Sequence, residues 1–347
     1  MKEIKIRFQD FTSSVVFSAH DKILNSTKNR CLGVFDSNTA SLIDTAVKKK
    51  YLVEEIIFPP SEAQKNLANI EKIEKRAVEL GMGRDDIMIG IGGGVICDMT
   101  AFAASIFMRG CSLILVPTTL LAMVDASIGG KTGVDFYGYK NMIGTFYPAA
   151  QIRISTAFLK TLPREEYLCG LAEIIKHGFL DDREILNILI SSRSGIDERD
   201  DAVLGEIIRR SIKVKSRIVE RDPKESGERE ILNFGHTFAH ALESAGSFAH
   251  YPHGISVGWG MRNAFLLGSQ LGLTDREYEK YALHILDSYG FPKTVKEDPE
   301  VLLNAMKQDK KKRKGRVRFV LQENLGKTFV LEVSREEIGK VLEKTTS

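Results

Sequence analysis

The chain has 347 residues, 43% of them hydrophobic and 27% charged, with 29 glycines; this excludes disordered, fibrous and collagen-like classes and fits a folded globular protein. Its 49 basic and 46 acidic residues leave a net charge of +3, too balanced to argue for nucleic acid but compatible with a local anionic ligand. No run reaches the roughly eighteen apolar residues of a membrane span, MKEIKIRFQD is not a secretory leader, and Cys31, Cys97, Cys111 and Cys169 lack paired spacing, so a cytoplasmic enzyme with reduced thiols is expected.

This length is more than one core usually organises, and two domains are expected, 1–162 and 163–347. In the first, short apolar runs at 31–35, 54–58, 86–94 and 112–117 read as strands, and residues 38–51 and 61–81 between them have amphipathic helical spacing. Strand, helix, strand in that order argues for an α/β domain with a parallel sheet, which binds ligands at the carboxyl ends of its strands. The segment 124–144, VDASIGGKTGVDFYGYKNMIG, has neither helical stripe nor strand alternation and reads as a long charged loop. From Pro163, placed to start a helix with Glu165 and Glu166 in its first turn, the chain reads as α-helical to about residue 306. Residues 316–333 read as a pair of strands, and a last helix follows from Arg335.

GIGGGVICD (90–98) follows a strand and opens a helix. Gly92 and Gly94 fit the first two positions of the dinucleotide fingerprint GxGxxG, but Cys97 occupies the third. Backbone N–H groups at such a helix start favour an anion, and Asp36, just after the strand at 31–35, is a candidate for a ribose. In the helical region His236 and His240 lie four residues apart, His250 and His253 follow, and GLAEIIKHG offers Glu173, Lys176 and His177. Two histidines and a carboxylate, with one position open, is a common catalytic zinc set. Spacing alone nominates His236 with His240 as the pair.

GGGVICD, VPTTLLAMVDASIGGKTGVD, KNMIGTFYP, LKTLP, GLAEIIKHG, LNFGHTFAHALE and HGISVGWGM, from about residue 60 to 265, and DKK at 309–311, resemble in order the motif series of the 3-dehydroquinate synthase family. The resemblance implies a Rossmann-like NAD-binding domain, an α-helical metal-binding domain and a homodimer. It implies closure of 3-deoxy-D-arabino-heptulosonate 7-phosphate into 3-dehydroquinate with loss of phosphate, a step of the shikimate pathway. It assigns the metal, zinc or alternatively cobalt, to Glu173, His236 and His253, and moves His240 to the substrate. The other substrate positions would be Asp125, Lys131, Lys140, Asn141, Lys176, Lys215, Arg229, Asn233 and Lys310, with Lys311 as the neighbouring candidate. The NAD positions would be Asp36, Glu62, Lys65, Gly93, Gly94, Val95, Asp98, Thr118, Thr119, Lys131, Lys140 and Lys160.

The chemistry implied suits those residue types. A metal that holds two neighbouring hydroxyls acidifies the one that NAD oxidises, the ketone acidifies the adjacent C–H, and phosphate leaves. Hydride then returns, the ring opens, and an intramolecular aldol step closes the carbocycle. Lysines bind phosphate as point charges and Arg229 offers a carboxylate a planar fork. The chain departs from the family pattern at Cys97, where a side chain could crowd the helix, at Met123, Ala126, Asp135, Pro223 and Glu228, and at Ile255, where the family places an acid able to support a metal ligand. Three alternatives are a sister cyclase forming 2-deoxy-scyllo-inosose or 2-epi-5-epi-valiolone, a glycerol dehydrogenase-like enzyme that would release NADH, and a nucleic-acid module built on the basic run 310–318. No recognition motif accompanies that run, and no nucleic-acid or membrane partner is expected.

Overall fold

A computed structural model of the chain describes residues 3–24, 29–246, 250–308 and 316–347. Contacts divide the chain into two compact units, residues 1–163 with 215–224, and residues 164–214 with 225–347. Among the described residues no helix is long and apolar enough to cross a membrane.

The first unit runs β1 (Glu3–Arg7), β2 (Thr12–Phe17), β3 (Cys31–Asp36), α1 (Thr45–Tyr51), β4 (Glu54–Phe58), α2 (Leu67–Glu79), β5 (Ile87–Gly92), α3 (Gly94–Ile106), β6 (Ser112–Pro117), β7 (Lys131–Phe136), β8 (Tyr139–Phe146) and β9 (Gln151–Ile154). Seven strands form one sheet in the order β1-β2-β9-β6-β5-β3-β4. All its pairings are parallel except β1 with β2. β5, IMIGIG, is buried along its whole length, the signature of a strand covered on both faces. The chain passes from β3 outward to β4 and then returns to the opposite side of β3 for β5 and β6, so the topology switches between β3 and β5. Asp44 and Asn66 cap α1 and α2 by accepting backbone N–H groups, which fixes where those helices begin.

Segment 124–144 is not a loop. It holds a π-helical turn, Ala122–Ala126, and the antiparallel hairpin β7–β8. The hairpin escapes a reading by alternation because β8 is exposed along most of its length and backbone pairing holds it. At Gly133 a Cβ would come within 2.5 Å of Ile143 O, and at Gly144 within 2.0 Å of Thr132 O. The two strands therefore approach where a side chain would part them. β1, β2 and β9 likewise escape the sequence reading, and β1 is half exposed at the sheet edge.

The second unit is built from α4 (Arg164–Asp181), α5 (Arg183–Ser191), α6 (Arg193–Asp197), α7 (Asp201–Arg221), α8 (His236–Ala245), α9 (His253–Gln270), α10 (Arg276–Ser288), α11 (Pro299–Gln308), the hairpin β10 (Val317–Asn324) and β11 (Lys327–Val333), and α12 (Arg335–Thr345). The last turns of α7, from Lys215, group with the first unit. α4 is buried on all sides from Cys169 to Leu180, so it forms the centre of the unit and not its surface. α9 approaches its neighbours through glycines. A Cβ on Gly254 would lie 2.1 Å from Cys169 Cα on α4, and one on Gly260 would lie 2.1 Å from Gly235 O before α8. A Ser334–Glu337 capping box starts α12.

Because the atom met at Gly260 is backbone, Gly260→Ala cannot be absorbed by a rotamer change. It is expected to lower unfolding free energy by about 1–3 kcal/mol or more, measured by denaturant titration; an unchanged midpoint would show that α8 and α9 can separate at little cost.

Candidate active site

In the first unit, the carboxyl ends of β3 and β5 meet at the topological switch. Asp36 ends β3 and the turn Gly92–Gly93–Gly94 ends β5, the two strands pairing as far as Phe35 with Ile91. Asp36 Oδ1 accepts the N–H groups of Asn38 and Thr39 (2.9 and 3.0 Å). Its Oδ2 lies 3.1 Å from where a Cβ on Gly92 would stand. That carboxylate is thus held against the glycine turn, at the switch point where open α/β sheets bind ligands. Gly93 is the N-cap of α3 and Val95 lies in its first turn. Thr118 N–H donates to Gly92 O (2.9 Å), and Thr119 Oγ1 accepts from Ala122 N (3.1 Å). Cys97 does not crowd the turn: its side chain is buried within α3 with Sγ 3.7 Å from Gly92 O. Burial pushes that thiol far up, as for a structural cysteine.

Lys65, 5% exposed, pairs with Asp98 (2.6 Å) and also bonds Asn141 Oδ1. Burial raises Asp98 to about 6, with Lys65 holding it from rising further. Lys65 O accepts from Asp135 N and Asp135 Oδ1 accepts from Asn141 N, both at 2.8 Å. Asn141 has a φ of 53°, a left-handed conformation that asparagine tolerates. These bonds fasten the hairpin, and with it Lys131 on β7 and Lys140 on β8, both exposed, to the turn Glu62–Gln64. Lys160 lies exposed after β9. Lys215, 5% exposed, donates to Asp125 Oδ1 (2.6 Å) and to Asp125 O (2.7 Å).

In the second unit α4 carries Glu173 and Lys176 into the interior, 0% and 2% exposed and in direct contact. Gly235, at a φ of 81°, turns the chain so that α8 begins on His236, and Pro252 precedes α9, which begins on His253. His236 Nε2 and His253 Nε2 lie 3.6 and 3.7 Å from Glu173 Oε1. Those separations are too long for hydrogen bonds, and Oε1 accepts none although it is buried. They suit three donors sharing one ion with bonds of about 2.0–2.2 Å. The geometry sets His253, not His240, beside this pair of side chains; His240, one turn along α8, stacks edge-on to His236 with centroids 5.5 Å apart. Arg229, 2% exposed, and Asn233 share the short helical turn Glu228–Asn233 that leads into His236. Asn233 Nδ2 donates to Glu225 Oε1 (3.2 Å), and Glu230 pairs with Arg318 of β10 (2.6 Å).

The charges reinforce one another. Burial would raise Glu173, but Lys176 and the two histidines hold it well below the usual carboxylate range. Burial and the Lys176 charge keep His236 well below its ordinary value. Burial would lower His253 too, yet Glu173 and Glu243 outweigh it and raise the group to about 10. Glu243 is the residue that sequence reasoning missed: Oε1 lies 2.8 Å from His253 Nδ1, so an acid does support this histidine although position 255 is isoleucine. Its spacing of seven from His236 on one helix face was the available signal. Lys310 and Lys311 lie outside the described residues, as does most of the basic run 310–318.

Two family models match consecutive stretches of the chain, "3-dehydroquinate synthase N-terminal" over residues 55–169 and "3-dehydroquinate synthase C-terminal" over 170–312. A 3-dehydroquinate synthase of Pyrococcus furiosus is 43% identical over 298 residues, covering 85% of this chain and 86% of the relative. Among solved structures, 2-deoxy-scyllo-inosose synthase with carbaglucose-6-phosphate, NAD+ and Co2+ superposes with a TM-score of 0.89 at 22% identity, covering 99% of this chain and 100% of that one. The 2-epi-5-epi-valiolone synthase of Streptomyces hygroscopicus subsp. jinggangensis, with NAD+ and Zn2+, gives 0.86 at 25%, covering 97% of each chain.

Replacing Lys65 by methionine removes the group that restrains Asp98, whose carboxyl should then titrate above about 6. A carboxyl held above its unfolded value of about 3.9 stabilises the protonated fold, and that stability is lost as pH rises through the folded value. Lys65→Met should therefore lose stability against the wild type from about pH 6 to 8, by about 1.4 kcal/mol per further unit. Carboxyl NMR titration and denaturation at pH 5 and 8 check this; an unmoved Asp98 resonance refutes it.

Proposed function

The chain belongs to the 3-dehydroquinate synthase family, and from that premise we propose that it converts 3-deoxy-D-arabino-heptulosonate 7-phosphate to 3-dehydroquinate and phosphate. It is a phosphate-eliminating carbon–oxygen lyase that serves aromatic amino-acid biosynthesis through the shikimate pathway. The observation that carries the site reading is the group Glu173, His236 and His253, a buried carboxylate with two imidazoles aimed at the same oxygen. The nearest competing reading, a sister cyclase, rests on likeness at 22–25% identity, against 36–43% for relatives named 3-dehydroquinate synthase.

Those three side chains would hold a divalent ion, zinc or alternatively cobalt. NAD would be held within residues 1–162 by the glycine turn with Val95, by Asp36, Glu62, Lys65, Asp98, Thr118 and Thr119, and by Lys131, Lys140 and Lys160. Bound there, the ion lends Lewis acidity to a hydroxyl and NAD stores a hydride that is given back. The protein's own part is binding and orientation. Lys131, Lys140 and Lys215 offer point charges to phosphate, and Asp125 fixes the direction of Lys215. Lys176 brings a second cation beside Glu173, where an oxyanion forming near the metal group would be stabilised. Arg229 supplies a planar fork for the carboxylate, while Asn141, Asn233 and His240 supply directional hydrogen bonds. Lys310 would join them. The enzyme is proposed to work in the cytoplasm as a homodimer; the exposed apolar side chains of the β7–β8 ribbon, Tyr137, Tyr139, Met142 and Phe146, support a self-association surface.

Purified protein with zinc and NAD should release one phosphate per 3-dehydroquinate formed and accumulate no NADH. Glu173→Gln and His236→Ala should each lower kcat by more than about a hundredfold and lose zinc. Turnover of glucose 6-phosphate or sedoheptulose 7-phosphate in place of the acid would favour a sister cyclase, and net NADH from glycerol would favour a dehydrogenase. Light scattering should give twice the chain mass of 38.7 kDa; a single-chain mass refutes the dimer.

A further inference from the structure

His236 and His253 are both directed at Glu173 by Nε2, but their Nδ1 atoms are anchored differently. His236 Nδ1 faces the carbonyl of Phe234 at 3.2 Å, whereas His253 Nδ1 faces the Glu243 carboxylate at 2.8 Å. A neutral imidazole carries its hydrogen on one nitrogen only, and an ionised carboxylate can only accept. With an ion held between Nε2 and Glu173, the contact with Glu243 would keep the His253 hydrogen on Nδ1 and leave the Nε2 lone pair to the ion.

We propose that Glu243 is the positioning residue that sets the tautomer and aim of His253 as a metal ligand. The inference rests on the assignment of Glu173, His236 and His253 made above. Packing alone does not hold the ring: the side chain of His253 is 36% exposed, against 13% for His236, and His253 is the first residue of its helix. Glu243 itself is 7% exposed and lies on α8, which also supplies His236. One helix thus carries one ligand and the anchor of the other. A carboxylate behind a ligating imidazole also makes the ring a stronger donor, and losing such a partner commonly costs about 10–100-fold in metal affinity.

The experiment uses full-length protein stripped of metal and titrated with zinc against a chromophoric chelator, with Glu243→Gln, Glu243→Ala and His253→Ala beside the wild type. Glu243→Gln retains an acceptor but no charge and should bind zinc about tenfold more weakly; Glu243→Ala should approach a hundredfold. The visible bands of the cobalt-loaded protein should shift in Glu243→Ala and be largely kept in Glu243→Gln, which a purely structural role would not produce. Metal-free unfolding midpoints measured alongside separate a loss of fold from a loss of zinc. Zinc affinity within twofold of wild type in Glu243→Gln, or in a folded Glu243→Ala, overturns the role of Glu243. If instead the wild type binds no zinc, or His253→Ala binds it equally well, the ligand assignment itself falls, and the inference with it. Should Glu243→Ala not fold, the comparison with Glu243→Gln alone decides.

Discussion

A carboxylate with no exposed surface, Glu173, stands in the middle of a helix that is buried from Cys169 to Leu180. An ionised acid in such a place costs several kcal/mol unless positive partners surround it. The second unit can be understood as an answer to that demand. Lys176 comes from the next turn of the same helix, and two imidazoles arrive at the first residues of α8 and α9. Those helix starts reach the acid only because Gly235 takes a left-handed turn and Gly254 lets α9 touch the backbone of α4. The residues that look merely conformational are therefore what bring the charged ones together.

The first unit solves a different electrostatic problem with a similar economy. Its glycine turn lies at the strand ends near the switch between β3 and β5, with Asp36, Ile96 and Thr119 packed close against it. Lys65 serves as a buried hub that neutralises Asp98 and fastens the β7–β8 ribbon through Asn141. Lys131 and Lys140, proposed above as ligand cations, thus sit on a ribbon fastened by a cation that is already paired.

Much of this was legible in the residues. The strand–helix alternation up to residue 117, the helical stretch after Pro163 and the terminal hairpin all carry local signals of period and punctuation. What was not legible has a common cause. β8 is exposed along most of its length and is held to β7 by backbone pairing, with Gly144 opposite Gly133, so it leaves no apolar rhythm. Spacing nominates His240, yet it shows only that two rings share a helix face; His236 meets Glu173 because α8 starts on it, and the second imidazole, His253, comes from the start of α9. Glu243 looked like one more charge on an amphipathic helix, because its partner lies ten residues away across a chain reversal. The chemistry of a site shows in its residue types, while its geometry is decided by the backbone that joins them.

The chain crosses between its two compact units after residues 163, 214 and 224. The short middle return is not decorative: it delivers Lys215 to Asp125 and Glu220 to the backbone of Arg7 at the sheet edge. A gene segment ending at residue 163 would encode the whole seven-stranded sheet yet lack a cation and an edge contact that the sheet's own unit relies on. Recombination by one crossover would leave both products incomplete, which disfavours exchange of the nucleotide half among enzymes as a ready-made module. The two halves are bound to change together, as a single heritable piece.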